Sequence, residues 1–226
     1  MVMFYSTVIC VLRTRRRCAY AWAIFDDGAR MAMQSNSRPG GSEMPVYSAT
    51  ARKFHWWTAA LVLIMLPLGF AMDHRANDLK IFDGLTNTMY SSHKLIGFGI
   101  LWLMLARLAY RLRNGAPPSE PTLEAWQKGV SHATHWLLYL LLIVVPVGGW
   151  VAVSMYGSRD VFGLFSLPPI AAVDQKLSET VFVMHKIGAI AILLLVSAHI
   201  GAALYHFIVR KDGVLRRMLP SIGGST

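Results

Sequence analysis

The chain has 226 residues, of which 54% are hydrophobic and 15% are charged, and its mean hydropathy is +0.43. This composition excludes an ordinary soluble domain and favours an integral membrane protein. The net charge of +10 would be typical of a nucleic-acid-binding protein if the chain were soluble. Here the Lys and Arg residues flank long apolar runs, so we expect the partner to be a lipid bilayer and not a nucleic acid.

Residues 1–43 differ in character from the rest of the chain. An apolar stretch, 1–12, comes before a cluster of arginines, which reverses the order found in a secretory signal peptide. The stretch 26–41 is small and polar, which is typical of disorder. We therefore predict that 1–43 is a disordered or mis-called N-terminal extension, that 44–220 is the membrane domain, and that 221–226 is a tail.

Four long apolar runs follow this segment and predict four transmembrane helices. The predicted spans cover about residues 53–73, 92–112, 132–155 and 182–209. Each is long enough to cross roughly 30 Å of hydrocarbon. We therefore predict an all-α protein, an integral membrane four-helix bundle.

Basic residues are distributed unevenly among the segments that join these spans. The connection between the first two spans and the connection between the last two contain similar numbers of acidic and basic residues. The other segments carry an excess of Lys and Arg: Arg52, Lys53, Arg111, Arg113, Lys128, Arg210, Lys211, Arg216 and Arg217. The positive-inside rule therefore predicts a multi-pass protein of the cytoplasmic membrane with both termini in the cytoplasm.

The histidines of the spans form a pattern. His185 and His199 are 14 residues apart on the fourth span, which separates them by about 21 Å on nearly the same face. His55 begins the first span at the depth of His199, and His93 begins the second at the depth of His185. Two haems stacked across the bilayer require such opposed pairs as axial ligands. The chain has no C-x-x-C-H motif, so such haems would be held non-covalently.

Other residues could compete for these sites or complete them. His132 and His135 share a helical face at the depth of His55 and are alternative ligands, or one of them lies near a haem propionate or a quinone. His206 could pass protons at the cytoplasmic exit. Arg107 lies inside a span, where a propionate is the natural partner; the alternative is that its guanidinium reaches the cytoplasmic surface. We predict cofactor-binding roles for Arg107, His135 and His206.

Glycines also lie in or beside the spans: Gly69, Gly97, Gly99, Gly148, Gly149, Gly188 and Gly201. A glycine lets a porphyrin or a neighbouring helix approach closely. Sequence alone does not separate these two roles.

Five segments of the chain, in order, carry a family resemblance. They are 54–57 (FHWW), 92–97 (SHKLIG), 163–169 (GLFSLPP), 185–188 (HKIG) and 212–220 (DGVLRRMLP). Together they resemble the prokaryotic cytochrome b561 family over residues 44–220. The resemblance implies a bacterial inner-membrane bundle that holds two haems b, with iron ligands His55, His93, His185 and His199.

The resemblance also implies electron transfer to ubiquinone by one of two routes. In the first, the chain is a superoxide:ubiquinone oxidoreductase that accepts electrons from superoxide at the periplasmic face. Lys94 and Lys186 each follow an outer ligand and could attract this anion, so they are the predicted catalytic residues, although they could instead pair with propionates. In the second, the chain is a relay subunit between a periplasmic dehydrogenase or hydrogenase and the quinone pool. The short outer connections favour the first route. The sequence does not indicate the side on which quinone binds.

Overall fold

The computed structural model describes residues 46–219 of the chain. Its long helices are α1 (Ala49–Asp73), α2 (Gly84–Asn114), α3 (Ala125–Tyr156) and α4 (Gln175–Tyr205). Within the described residues, four helices are long and apolar enough to cross a membrane, which confirms the predicted all-α membrane bundle. The predictions for residues 1–43 and 221–226 concern segments outside the described range.

Each helix begins several residues before the predicted span. Ser48, Asp83 and Asp174 cap α1, α2 and α4 by accepting hydrogen bonds from backbone N–H groups of the first turn, and Glu124 and Gln127 form a reciprocal capping box on α3. The backbone N–H of Thr86 lowers the pKa of the Asp83 carboxyl below its ordinary value. Hydropathy identifies only the part of a helix in hydrocarbon, whereas polar caps determine where the helix starts.

The ends of α1 and α4 widen into π-helical turns, His74–Asp78 and His206–Arg210. The second turn includes His206 and lies within the candidate membrane-spanning helix Gln175–Arg210. Both turns are followed by a break in the helix, since Lys80 and Lys211 adopt left-handed backbone conformations.

A short antiparallel hairpin joins α3 to α4 and was absent from the sequence prediction. It consists of β1 (Asp160–Val161) and β2 (Phe165–Ser166). The backbone N–H of Phe162 donates to the hydroxyl of Ser91 on α2 (3.0 Å), which fixes the hairpin over the start of that helix. We call this end of the bundle the hairpin end.

Two-residue strands are too short for hydropathy to reveal. Gly163 reverses the chain at the tip with a φ of 70°, a conformation that suits glycine.

The opposite end is the basic end, where α1 and α3 begin and α2 and α4 finish. The segment after α4 folds back over it: Arg52 donates to the carbonyl of Leu219 (2.9 Å) and the Trp56 indole donates to the carbonyl of Met218 (2.8 Å). Arg217 is buried there. These contacts fix the segment after α4 against the start of α1.

The bundle core is small and lies midway between the two ends. Its buried members are Val62, Ile100, Met104, Tyr139, Leu142, Val145 and Ile192. Most outward-facing residues of the spans are apolar and exposed; Leu194 on α4, for example, is 65% exposed. Such faces are unfavourable in water and suit a lipid bilayer.

Candidate functional site

The hairpin end brings together one histidine from α2 and one from α4. The ring centres of His93 and His185 are 5.9 Å apart, with the rings inclined at 76°. His185 donates from Nδ1 to the carbonyl oxygen of Val145 (2.9 Å), which leaves Nε2 free to bind a metal. Nδ1 of His93 is buried and has no hydrogen-bond partner within residues 46–219. A buried polar atom of this kind indicates an interaction that protein groups alone do not supply.

A glycine on the neighbouring helix lies against each of these two rings. A Cβ atom at Gly149 on α3 would lie 2.9 Å from Cε1 of His185, and one at Gly69 on α1 would lie 3.1 Å from Cε1 of His93. Any larger residue would displace the imidazole. At these two positions the absence of a side chain therefore leaves room for the imidazole rings.

The basic end brings three histidines together. The ring centres of His55 on α1 and His199 on α4 are 6.2 Å apart, and those of His135 on α3 and His199 are 5.2 Å apart. His135 donates from Nδ1 to the carbonyl oxygen of Ser131 (2.6 Å), one turn earlier. The structure therefore places both candidate ligands that the sequence left open, His55 and His135, beside His199.

Arg107 lies between α1 and α3 beside these histidines. Its guanidinium donates to Nδ1 of His55 (3.1 Å) and lies 5.1 Å from the ring centre of Tyr139, over its face. Because arginine can only donate, this hydrogen bond places the proton of neutral His55 on Nε2. The guanidinium is half-buried and faces the bundle interior.

The separation of the rings can be compared with that required by a bound metal ion. Two imidazole nitrogens that each lie about 2 Å from one ion place their ring centres roughly 6 Å apart. The 5.9 Å of the His93 and His185 pair and the 6.2 Å of the His55 and His199 pair fit this value. The 5.2 Å between His135 and His199 is too short. Each fitting pair has the ring separation that an iron held by two histidines would require.

The two predicted catalytic lysines have different partners. Lys186 forms an ion pair with Asp73 (2.7 Å), and its side chain is 57% exposed. Lys94 donates to the backbone carbonyls of Ser158 (3.3 Å) and Asp160. One ammonium is therefore paired with a carboxylate, whereas the other is held by uncharged oxygens beside the hairpin.

The other predicted histidines of the basic end, His132, His135 and His206, have different surroundings. His132 is exposed, whereas His135 is half-buried within the bundle. His206 is joined to Asp212 (2.6 Å), and both side chains are largely buried. The structure thus places His206 against the segment after α4, away from the ring contacts that join the other three histidines of this end.

A membrane bundle with opposed histidines near each end defines a class of protein, the membrane cytochromes that hold haem through axial imidazoles. The family model described as prokaryotic cytochrome b561 matches residues 46–221, and the chain belongs to this family. Membership makes the chain a haem b-binding membrane protein of electron transport. The prokaryotic family also indicates the inner membrane as its location.

Named relatives are similar over almost their whole length. A "Probable superoxide oxidase CybB" of Yersinia pestis is 31% identical over 79% of this chain and 98% of its own length. "Cytochrome b561 homolog 1" of Escherichia coli (strain K12) is 26% identical over 77% of this chain and 97% of its own length. "Cytochrome b562" of Cereibacter sphaeroides is 27% identical, with coverages of 79% and 98%.

Several contacts at these sites were not predicted from the sequence. Tyr139 beneath Arg107 and Asp73 beside Lys186 come from other helices, so no local pattern reveals them. The Ser131 carbonyl that orients His135 lies four residues earlier, and this spacing could have suggested the contact. The sequence presents Gly69 and Gly149 only as two of several glycines in or beside the spans, and nothing in it singles out their contact with the histidine rings.

Proposed function

We propose that the chain binds two haem b groups, one between the paired histidines at each end, and transfers electrons through them to ubiquinone. The observation that carries this proposal is that one helix, α4, contributes to both pairs, with His185 facing His93 and His199 facing His55. When bound, each haem supplies one-electron transfer, and two histidine ligands leave no open position on its iron.

The protein groups around each pair support these assignments. At the hairpin end, the Val145 carbonyl holds His185 in the tautomer whose Nε2 can bind iron. At the basic end, the ring separation favours His55 over His135 as the partner of His199. His135 then remains beside the site as an oriented neutral imidazole.

Arg107 has a defined role in this arrangement. Binding of iron by Nε2 of His55 requires the imidazole proton to lie on Nδ1, so the guanidinium must turn to another acceptor. A haem propionate at this depth is such an acceptor, and a charge-assisted pair offsets the cost of an arginine within the bundle. Arg107 is therefore a positioning residue for the haem of the basic end.

The electron donor that we propose is superoxide. Two superoxide ions are oxidised to two molecules of O₂, and their two electrons with two protons reduce ubiquinone to ubiquinol. Lys94 supports this donor, since its ammonium follows a histidine of the hairpin end directly and is held by carbonyl oxygens. Such a charge attracts a small anion. The name of the Yersinia pestis relative is consistent with this activity.

The basic end faces the cytoplasm in this proposal. Its Lys and Arg residues outnumber the acidic Glu120, Glu124 and Asp212, whereas opposite charges balance at the hairpin end. Superoxide would then react on the periplasmic side, where the hairpin lies. Reporter domains fused after residue 219 and inserted after Lys80 test this orientation, and an active periplasmic reporter on the first fusion would reverse it.

Purified protein supplied with haem provides the main test. We expect two haems per chain, a b-type difference spectrum, reduction of the haems by enzymatically generated superoxide, and reoxidation by a short-chain ubiquinone. Superoxide dismutase should abolish the reduction. A normal spectrum without a response to superoxide would favour the relay subunit instead, and one haem or none would contradict the paired-histidine assignment.

A further inference from the structure

Two cavities lie at the basic end, and they share the side chains of Phe54 on α1 and Tyr110 on α2. The inner cavity, of about 30 Å³, is also lined by Arg107, His135 and Tyr139. The outer cavity has a volume of about 450 Å³ and shares the lining residues Phe54 and Tyr110 with the inner one. Its full lining is Phe54, Ala106, Ala109, Tyr110, Arg113 and Asn114.

The outer cavity changes in polarity along the helix axis. Ala106 and Ala109 are exposed on the apolar surface of α2, and their small side chains leave the space open. Arg113 and Asn114, in the last turn of α2, form a polar rim. A volume of this size is within the range of small-molecule sites, about 300–1,000 Å³. The cavity therefore suits a ligand with a polar ring and an apolar tail.

The position of the outer cavity relates it to the proposed electron path. Phe54 directly precedes His55 in α1. The rings of Phe54 and Tyr110 are 5.8 Å apart, and both line the inner cavity together with Arg107. The Tyr110 hydroxyl is hydrogen-bonded to the Ser48 hydroxyl (2.9 Å), which fixes the Tyr110 ring against the cap of α1. A ligand in the outer cavity would contact Phe54, the residue next to His55.

We propose that the outer cavity is the ubiquinone site, with the headgroup between Phe54, Tyr110 and Arg113 and the isoprenoid tail along Ala106 and Ala109. Tyr110 and Arg113 supply hydrogen-bond donors for the quinone carbonyl oxygens. This inference rests on the proposed function, from which the two electrons come. Two protons from water at the basic end form the two O–H bonds of ubiquinol, and no other bond is made or broken.

A phospholipid headgroup is the competing occupant because Arg113 could also bind a phosphate. The rings of Phe54 and Tyr110 favour quinone, since a flat ring can stack on them. The experiment must separate these occupants.

The test uses haem-loaded protein in nanodiscs and a photoreactive azido-ubiquinone as probe. We expect labelling of peptides that contain residues 106–114, competed by decylubiquinone and not by cardiolipin. Ala109→Phe fills the cavity and should lower this labelling and slow the reoxidation of dithionite-reduced haem by decylubiquinone, each about tenfold. Ala202→Phe is the matched control, since Ala202 is exposed near the end of α4 and lines neither cavity.

If Ala109→Phe does not retain haem, Ala106→Leu and Tyr110→Phe replace it, with an expected fall of about fivefold in labelling. Labelling confined to hairpin-end peptides, unchanged labelling in the cavity variants, or competition by cardiolipin would overturn the inference. Failure of the proposed donor has a different signature: wild-type haems would not respond to superoxide, while quinone labelling of residues 106–114 would persist.

Discussion

The two ends of the bundle bring histidines together in different surroundings. At the hairpin end, Gly69 and Gly149 lie against the two rings and a backbone carbonyl orients one of them. At the basic end, His199 has two histidine neighbours, and the surroundings include Arg107 and open space. The first site is shaped by close packing, whereas the second is polar and incompletely filled.

Under the proposed function, the two ends of the bundle would have different tasks. A closely packed pair with few polar contacts suits a site whose only task is to receive an electron. A polar site beside two cavities suits proton-coupled chemistry, because hydrogen-bond donors and water can reach it. Variants that act on one end only test this difference.

Removal of the α4 histidines should have the largest effect. We expect His185→Ala and His199→Ala each to reduce haem content from about two per chain to about one, and the double variant to bind none. His74→Ala is the control, since the His74 imidazole is exposed and is hydrogen-bonded to Asp78 at the end of α1. Pyridine haemochrome assays on purified protein give the ratio, and loss of both haems in one single variant would show that the ends are not independent.

Substitution of Gly149, which lies against the His185 ring, should have the second-largest effect. Gly149→Ala should displace the imidazole and weaken haem binding at the hairpin end roughly 10- to 100-fold, as expected when the orientation of a metal ligand is lost. Gly148→Ala is a close control because a Cβ there meets no atom within 4 Å. Haem titration of the apoprotein measures both. Equal affinities in the two variants would contradict the packing role of Gly149.

Loss of the Arg107 charge should affect the basic end alone. We expect Arg107→Gln to lower the midpoint potential of that haem by about 40 mV, since one positive charge near the iron contributes on the order of 1 kcal/mol. Lys80→Gln, an exposed change at the hairpin end, controls for overall charge. Spectroelectrochemical titration resolves the two potentials, and two unchanged potentials in Arg107→Gln would exclude the propionate role.

The lysines of the hairpin end should have the smallest effect. Lys94→Gln should lower the rate constant for haem reduction by superoxide about two- to threefold, and Asp73→Asn should raise it by a similar factor because it releases the Lys186 charge. Both changes should shrink as salt is added. Stopped-flow reduction at two ionic strengths tests this. Salt-independent rates, or a fall with Asp73→Asn, would contradict electrostatic attraction of the anion.

Much of the architecture follows directly from the sequence. Apolar runs of sufficient length predicted four spans, because a helix must have a minimum apolar length to cross the hydrocarbon of the bilayer. The structure confirms four such helices within the described residues. The helices begin several residues before the predicted spans, and the hairpin between α3 and α4 was missed. Both errors have the same cause: hydropathy reports contact with lipid and carries no information on caps such as Asp83 or on two-residue strands.

The histidine pairs separate what the sequence could predict from what depended on the tertiary structure. The 14-residue spacing on α4 and the depths of His55 and His93 predicted the two ends at which histidines meet, since distance along a helix is set by its rise per residue. They left His55 and His135 as alternative neighbours of His199, and both rings lie beside it. The sequence could not show that Gly149 lies against the His185 ring or that the Arg107 guanidinium lies over the Tyr139 ring. It also could not show that Phe54 and Arg113 line one cavity. Those contacts depend on how helices rotate about their axes when they pack, and only the tertiary structure decides that rotation.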